Sequence, residues 1–267
     1  MSKNRNLIKE LTTKLSNFKL SQEEKLDILK DCFKGEKAYL FSCGPSLLDH
    51  DEDKIKDILK NNLCFGVKQV FELYKEDLDV HFYNCANFKF YDYSKNEPIV
   101  IKCLSGGLKA GFAHISFGIE AELKKTADDF SVSISETGDL DRALFENNPL
   151  IRPIGPGIEY EIIFPALLHF GISEFVTIGW DNKAPEGMPL AKSNFYYSEK
   201  SGLDASSMIQ INNVSAVPAA VASLQKEAST TTNAIEKWYN FMLDKGCVMK
   251  ICSPINPAPS FIERVVL

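Results

Sequence analysis

The stretch from Lys37 to Asp49, KAYLFSCGPSLLD, constrains the fold of this chain most. Tyr39 to Ser42 is a short apolar run bounded by turn signals, which predicts a buried strand of a parallel sheet. Gly44 ends that strand, because glycine tolerates a tight turn and lets another group approach the backbone. Pro45 suits the first position of a helix, where its missing N–H costs nothing, and Ser46 adds a hydroxyl beside the free amides. A strand, a glycine turn and a helix start together make a seat for an anion, of which a nucleotide phosphate is the usual occupant. The bland alternative is a turn that only connects two elements.

The chain has 267 residues, enough for one α/β core with an appendage. With 45% hydrophobic and 25% charged residues it has the composition of a folded globular protein. Its net charge of -6 lacks the basic footprint of a nucleic-acid binder, so an anionic ligand must be held by local groups. Arginine is scarce, at Arg5, Arg142, Arg152 and Arg264, which makes each one worth attention. The seven cysteines are scattered without a C-x-x-C pair. That argues for small core residues in a reducing cytoplasm rather than a zinc site or disulfide framework. No signal peptide and no apolar run of spanning length is present, which predicts a cytoplasmic protein and leaves room for peripheral contact at the inner membrane.

Leu7, Ile8, Leu11, Leu15 and Phe18 fall at helical spacing, and Ser21 with Glu24 forms a capping box that opens a second helix to about Phe33. This N-terminal helical hairpin, residues 1–35, reads as a cap on the sheet edge, with a dimer or membrane-surface element as the sharper alternative. Residues 36–267 then read as the main domain. Within it, helices are expected over Asp51 to Leu59 and Lys68 to Tyr74, and strands over Leu63 to Val67, Val80 to Tyr83, Pro98 to Leu104 and Ser131 to Ser135. Strands alternating with helices imply a mostly parallel sheet flanked by helices, with ligands at the carboxyl ends of its strands. A further helix is expected from Ile158 to Phe170 despite Pro165, then a strand at Phe175 to Ile178 ending in Gly179, Trp180 and Asp181. Residues 182–213 are polar and poorly periodic, as a lid-like insertion would be. Two helices over Ala216 to Leu243, a strand at Val248 to Cys252 and a short helix at Ser260 to Arg264 complete the reading.

Several of these pieces together resemble the bacterial sialyltransferases that build lipooligosaccharide ends, Rossmann-type enzymes that use a CMP-activated nonulosonic acid. Their G-N-G-P-S-L start corresponds to Ser42, Cys43, Gly44, Pro45, Ser46 and Leu47, with four of six positions matching. An Asn-Gln pair after their second strand corresponds to Lys68 and Gln69, and their F-Y-N strand end is intact as Phe82, Tyr83 and Asn84. An arginine before a glycine-marked helix, followed by a strand ending in G-x-D, resembles Arg152 to Gly157 and Gly179 to Asp181. A C-terminal segment running into F-I-E resembles Cys252 through Glu263. The likeness covers roughly residues 37 to 90, 150 to 182 and 247 to 264.

The resemblance implies a Rossmann-like fold and a metal-independent glycosyltransferase that moves sialic acid, a related nonulosonate or Kdo from a CMP donor to an oligosaccharide or lipid-linked glycan. It places Gly44, Pro45 and Ser46 beneath the donor, with Lys68, Gln69, Asn84, Gly155, Gly157 and Gly179 around it, and Arg152, Tyr196 and Tyr197 toward phosphate or carboxylate charge. The family's general base is a histidine, but the corresponding place near Glu227 or Ala228 holds none. Asp181, Glu159, Glu161 and Glu227 are the carboxylates left for that role, and His50, His81, His114 and His169 are the only histidines. The alternatives are a non-catalytic nucleotide or glycan-binding module, a homo-oligomer being compatible with either, and a metal-dependent transferase using Asp139 and Asp141. That D-x-D recurs at Asp51 to Asp53 and Asp77 to Asp79, as an acidic chain allows by chance. A pyrophosphokinase-like enzyme, expected to take ATP, is the remotest reading.

Overall fold

The computed structural model describes residues 4–17, 19–67, 70–74, 76–84, 98–103, 131–134, 137–138, 152–153, 163–181 and 235–267. The lid-like insertion over 182–213 and the first helix after Ala216 lie outside them, as does most of the segment from Arg152 to Gly157.

Seven strands form one sheet: β1 (Lys37–Phe41), β2 (Leu63–Val67), β3 (Val80–Asn84), β4 (Ile99–Cys103), β5 (Ser131–Ile134), β8 (Glu174–Ile178) and β9 (Val248–Cys252). Their order is β5-β4-β3-β2-β1-β8-β9, and every pairing is parallel. Two two-residue strands, β6 (Thr137–Gly138) and β7 (Arg152–Pro153), pair apart from it. The predicted strands over Leu63 to Val67 and Val248 to Cys252 match β2 and β9 at both ends.

Side chains alternate across the sheet, as a pleat requires. Ala38, Leu40, Leu63, Phe65, Val80, Phe82, Ile99, Ile101, Phe175, Met249 and Ile251 face one way, and Phe41, Cys64, Val176, Ile178 and Cys252 face the other. The first face is covered by α1 (Arg5–Leu15), α2 (Gln22–Leu29), α5 (Phe164–His169) and α6 (235–244). The second is covered by α3 (Glu52–Asn61) and α4 (Val70–Tyr74). The chain steps from β1 to β3 through α3 and α4, and from β8 to β9 in the opposite direction past α6 on the other face. Right-handed crossovers require that exchange of faces when the stepping direction reverses.

The N-terminal helices pack on one face of the sheet at its β5 end. Ile8, Leu11, Leu15, Leu29 and Phe33 join the buried cluster of Phe65 and Phe82, and α1 and α2 lie against β4 and the edge strand β5. Burial of a whole apolar stripe accounts for that placement. The predicted capping box is present: Ser21 Oγ accepts from Glu24 N and Ser21 N donates to the Glu24 carboxylate at 2.7 Å. The second helix stops at Leu29, short of Phe33, because the amides of Asp31, Phe33 and Gly35 donate to the carbonyls of His169, Phe170 and Gly171. Those carbonyls belong to the C-terminal end of α5 and need donors. Of the helix expected over Ile158 to Phe170, residues 158–162 lie outside the described residues; the described helix is Phe164–His169, and Pro165 is tolerated because it sits in that helix's first turn.

The short helix expected at Ser260 to Arg264 is absent. Ile251 N donates instead to Glu263 O and Val265 N to Ile251 O, so this segment runs beside the open edge of β9 in a parallel bridge. Edge amides that would otherwise lack partners favour that extended pairing. The five cysteines whose side chains are described form no disulfide with one another, and four of them are buried. Burial pushes Cys247 up to about 12, and Cys32, partly buried, is pushed up to about 12 as well. The core also holds the hydroxyls of Ser42 and Thr177, which have no hydrogen-bond partner among the described residues. Thr177→Val exchanges the fully buried hydroxyl for a methyl of the same shape. Thermal or urea unfolding is expected to show a stability unchanged or raised by up to about 1 kcal/mol.

Candidate functional site

The strand order reverses between β1 and β8, and open parallel sheets bind ligands at the carboxyl ends of strands at such a point. Two of the expected segments meet there. Ser42 N donates to Ile178 O at 2.8 Å and Gly44 N to Gly179 O at 2.7 Å, which carries the pairing of β1 with β8 past the ends of both strands. A Cβ on Gly44 would lie 2.4 Å from Gly179 O and 2.5 Å from Asp181 Oδ2. Gly179 has φ +70°, with Ser42 O 2.6 Å from its would-be Cβ. Each glycine is thus required by the approach of the other segment, in addition to the left-handed backbone at Gly179.

Pro45 opens a helix as expected, but the helix is a five-residue 3-10 turn, Pro45–Asp49, rather than a full α-helix. Asp51 caps the next helix, accepting from the amides of Asp53 and Lys54, and this second start interrupts the first. Ser46 N donates to Asp181 Oδ2 at 2.8 Å, and Ser46 Oγ donates to Asp181 Oδ1. Ser253 Oγ, one residue beyond β9, donates to the same Oδ1 at 2.5 Å. Asp181 is 3% exposed and joins the ends of β1, β8 and β9.

The loop after β9 completes the cluster. Asn256 Nδ2 donates to Trp180 O at 2.6 Å, and its Oδ1 accepts from Ala258 N at 2.9 Å. Arg264 Nη1 donates to Ser253 O at 2.7 Å, while Nη2 donates to Asn256 O at 2.9 Å and Ala258 O at 2.8 Å. One guanidinium therefore holds three carbonyls of the loop that holds Asp181. Partial burial lowers Arg264 from its usual range. Sequence reasoning missed Ser253, Asn256 and Arg264 as site residues. The signals available were the S-P-I-N-P turn directly after an apolar strand and the scarcity of arginine.

Gly44, Pro45, Ser46, Gly179 and Asp181 are thus brought together. Cys43, where the resembled family has asparagine, points its thiol at Val67 O at 3.3 Å and ties the ends of β1 and β2. Asn84 ends β3 at the same carboxyl edge, and Arg152 opens β7; the side chains of both lie outside the described residues. Lys68, Gln69, Gly155, Gly157, Tyr196, Tyr197, Asp139, Asp141, Glu159, Glu161, Glu227 and His114 also lie outside them.

Three histidines are described, and each is engaged in packing. His81 is fully buried and stacks on Phe71 with ring centroids 4.7 Å apart. His169 Nε2 meets Leu26 O at 2.7 Å, joining α5 to α2, and His50 Nε2 lies 3.8 Å from Cys252 Sγ. Two of the D-x-D copies serve backbone needs: Asp51 caps α3, and buried Asp79 accepts from Cys64 N at 3.0 Å. Among the described residues no group of three or more metal-ligating side chains converges. No helix among them is long and apolar enough to cross a membrane.

No family model matches the chain, and no curated protein matches it in sequence. The site is therefore read from its own chemistry.

Proposed function

We propose that the chain is a Rossmann-like, metal-independent glycosyltransferase that moves an acidic sugar (sialic acid, a related nonulosonate or Kdo) from a CMP donor to a surface-glycan acceptor. The observation that supports this reading is the meeting of the Gly44 to Ser46 turn with Gly179 and Asp181 at the point where the strand order reverses. Sheets of this class take nucleotides there. In this reading Gly44, Pro45, Ser46, Lys68, Gln69, Asn84, Gly155, Gly157 and Gly179 surround the donor. Arg152, Tyr196 and Tyr197 balance the negative charge of phosphate and sugar carboxylate, a task that planar guanidinium and phenol donors suit.

The acceptor hydroxyl oxygen attacks the anomeric carbon as the bond from that carbon to the CMP phosphate oxygen breaks. CMP departs with the bonding electron pair, and the hydroxyl proton passes to a base. An oxocarbenium-like transition state asks the protein to position both partners and stabilise phosphate charge. Glu159, Glu161 and Glu227 are the carboxylates this reading keeps for the proton, since Asp181 is buried and already accepts from three donors. The engagement of Asp181 and of the three described histidines also favours a second reading, a binding module without turnover.

A thermal-shift screen with CMP, UDP, GDP and ATP tests the proposal, followed by turnover of CMP-sialic acid and CMP-Kdo with and without EDTA. CMP at a hundredfold excess over its Kd is expected to add about 2.7 kcal/mol of stability, which is about 6–9 °C in Tm for a chain of this size. EDTA is expected to leave transfer and hydrolysis unchanged. Loss of activity in EDTA favours the Asp139 and Asp141 reading, CMP binding without turnover favours the binding module, and stabilisation by ATP alone overturns the assignment.

A further inference from the structure

We propose that the switch-point turn carries its own anion: the Asp181 carboxylate fills the seat formed by Ser46 and Ser253, and a ligand's phosphate is kept away from this turn. The second half rests on the nucleotide reading above; the first does not. Strand, glycine turn and helix start form the arrangement that ordinarily receives a phosphate. Here the donors converge on a side chain of the same protein. Ser46 N, Ser46 Oγ and Ser253 Oγ all donate to Asp181, from two segments lying 135 and 72 positions away in sequence.

The seat is also closed sterically. Asp181 is 3% exposed, Ser46 and Ser253 are each 2% exposed, and the space a Cβ would take at Gly44 is filled by the carboxylate and by Gly179 O. A second anion beside this carboxylate would meet a like charge with little water to screen it. The uncharged part of a nucleotide, its ribose or base, is then what comes nearest the Gly44 turn. The phosphate lies toward other carboxyl-end strands. Asp181 is on this account a positioning residue.

Chemical rescue tests the seat without any nucleotide. Asp181→Ala leaves three donors around a hole the size of a carboxylate, and its Tm is expected to fall by about 6 °C. Sodium formate at about 0.2 M, against sodium chloride at equal ionic strength, is expected to restore at least half of that loss in the variant and to leave the unmodified protein unmoved. No response in Asp181→Ala, or an equal response in both proteins, overturns the seat. Asp181→Asn keeps the shape, loses the charge and fills the hole. It is expected to melt below the unmodified protein without responding to formate, so the idea remains testable if Asp181→Ala does not fold, and a Tm equal to the original overturns it. For the ligand, the ratio of CMP to cytidine affinity is expected to change by less than about threefold in Asp181→Asn. A rise of about tenfold or more, as relief of a close like-charge contact would produce, overturns the exclusion of phosphate. Failure of the unmodified protein to bind either compound counts against the nucleotide reading, while the formate result still decides the seat.

Discussion

Gly44→Ala is expected to lower stability by about 4 kcal/mol and Tm by about 10 °C. The added Cβ would lie 2.4 Å from Gly179 O, 2.5 Å from Asp181 Oδ2 and 2.7 Å from Asp181 Cγ. None of these is the free end of a flexible side chain. The carbonyl accepts from Gly44 N at 2.7 Å, and the carboxylate is held by three donors, so relief of the clash must separate β1 from β8 or break the Asp181 group. The backbone of Gly44 itself is not the obstacle, for its φ of -68° is open to any residue. Gly246→Ala is the matched control: its φ is +77° with nothing within 4 Å, so only backbone strain of about 1 kcal/mol is expected. Urea unfolding of the two variants side by side separates the effects. Equal losses in both would show that close packing at the switch point contributes nothing.

The second large effect is expected for Arg264→Ala, with a loss of roughly 3 kcal/mol in urea unfolding. Its guanidinium donates to the carbonyls of Ser253, Asn256 and Ala258, and removing it leaves three partly covered acceptors without their partner. Arg264→Lys is expected to recover less than half, because a single ammonium cannot reproduce the planar fork. The same change loosens Ser253, which donates to Asp181, and Asn256, which donates to Trp180 O. If the nucleotide reading holds, CMP affinity falls in both variants by more than the loss of folded protein explains. Affinity that follows the folded fraction alone would limit Arg264 to a stabilising role.

These two residues differ in how visible they were beforehand. Gly44 stands between an apolar run and a proline, and both are local signals of a strand end and a helix start. Arg264 carries no such mark. Its three acceptors lie six to eleven positions earlier, in a proline-rich turn whose path depends on β9 and on Trp180. The expected helix at Ser260 to Arg264 failed for the same reason: propensity over five residues is weak, and an unpaired strand edge outweighed it.

Histidine is a different case. His81, one of the four histidines, lies in β3, whose alternation turns it into the layer under α4, against Phe71, as a packed core group. The alternation was readable in the sequence, but which face would be closed by a helix was not.

The features legible along the chain are local in origin: the strands β2 and β9 to the residue, the Ser21 and Glu24 capping box, the parallel class of the sheet, and the glycine turn after β1. Side-chain periodicity and turn chemistry act over a few residues, so they can be read there. Long-range packing sets the rest: that β8 lies beside β1, which face the N-terminal helices cover, and that the anion at the Gly44 turn is Asp181. A hydrogen bond spanning 135 positions leaves no trace in local spacing, because its two ends meet only after the sheet has been ordered.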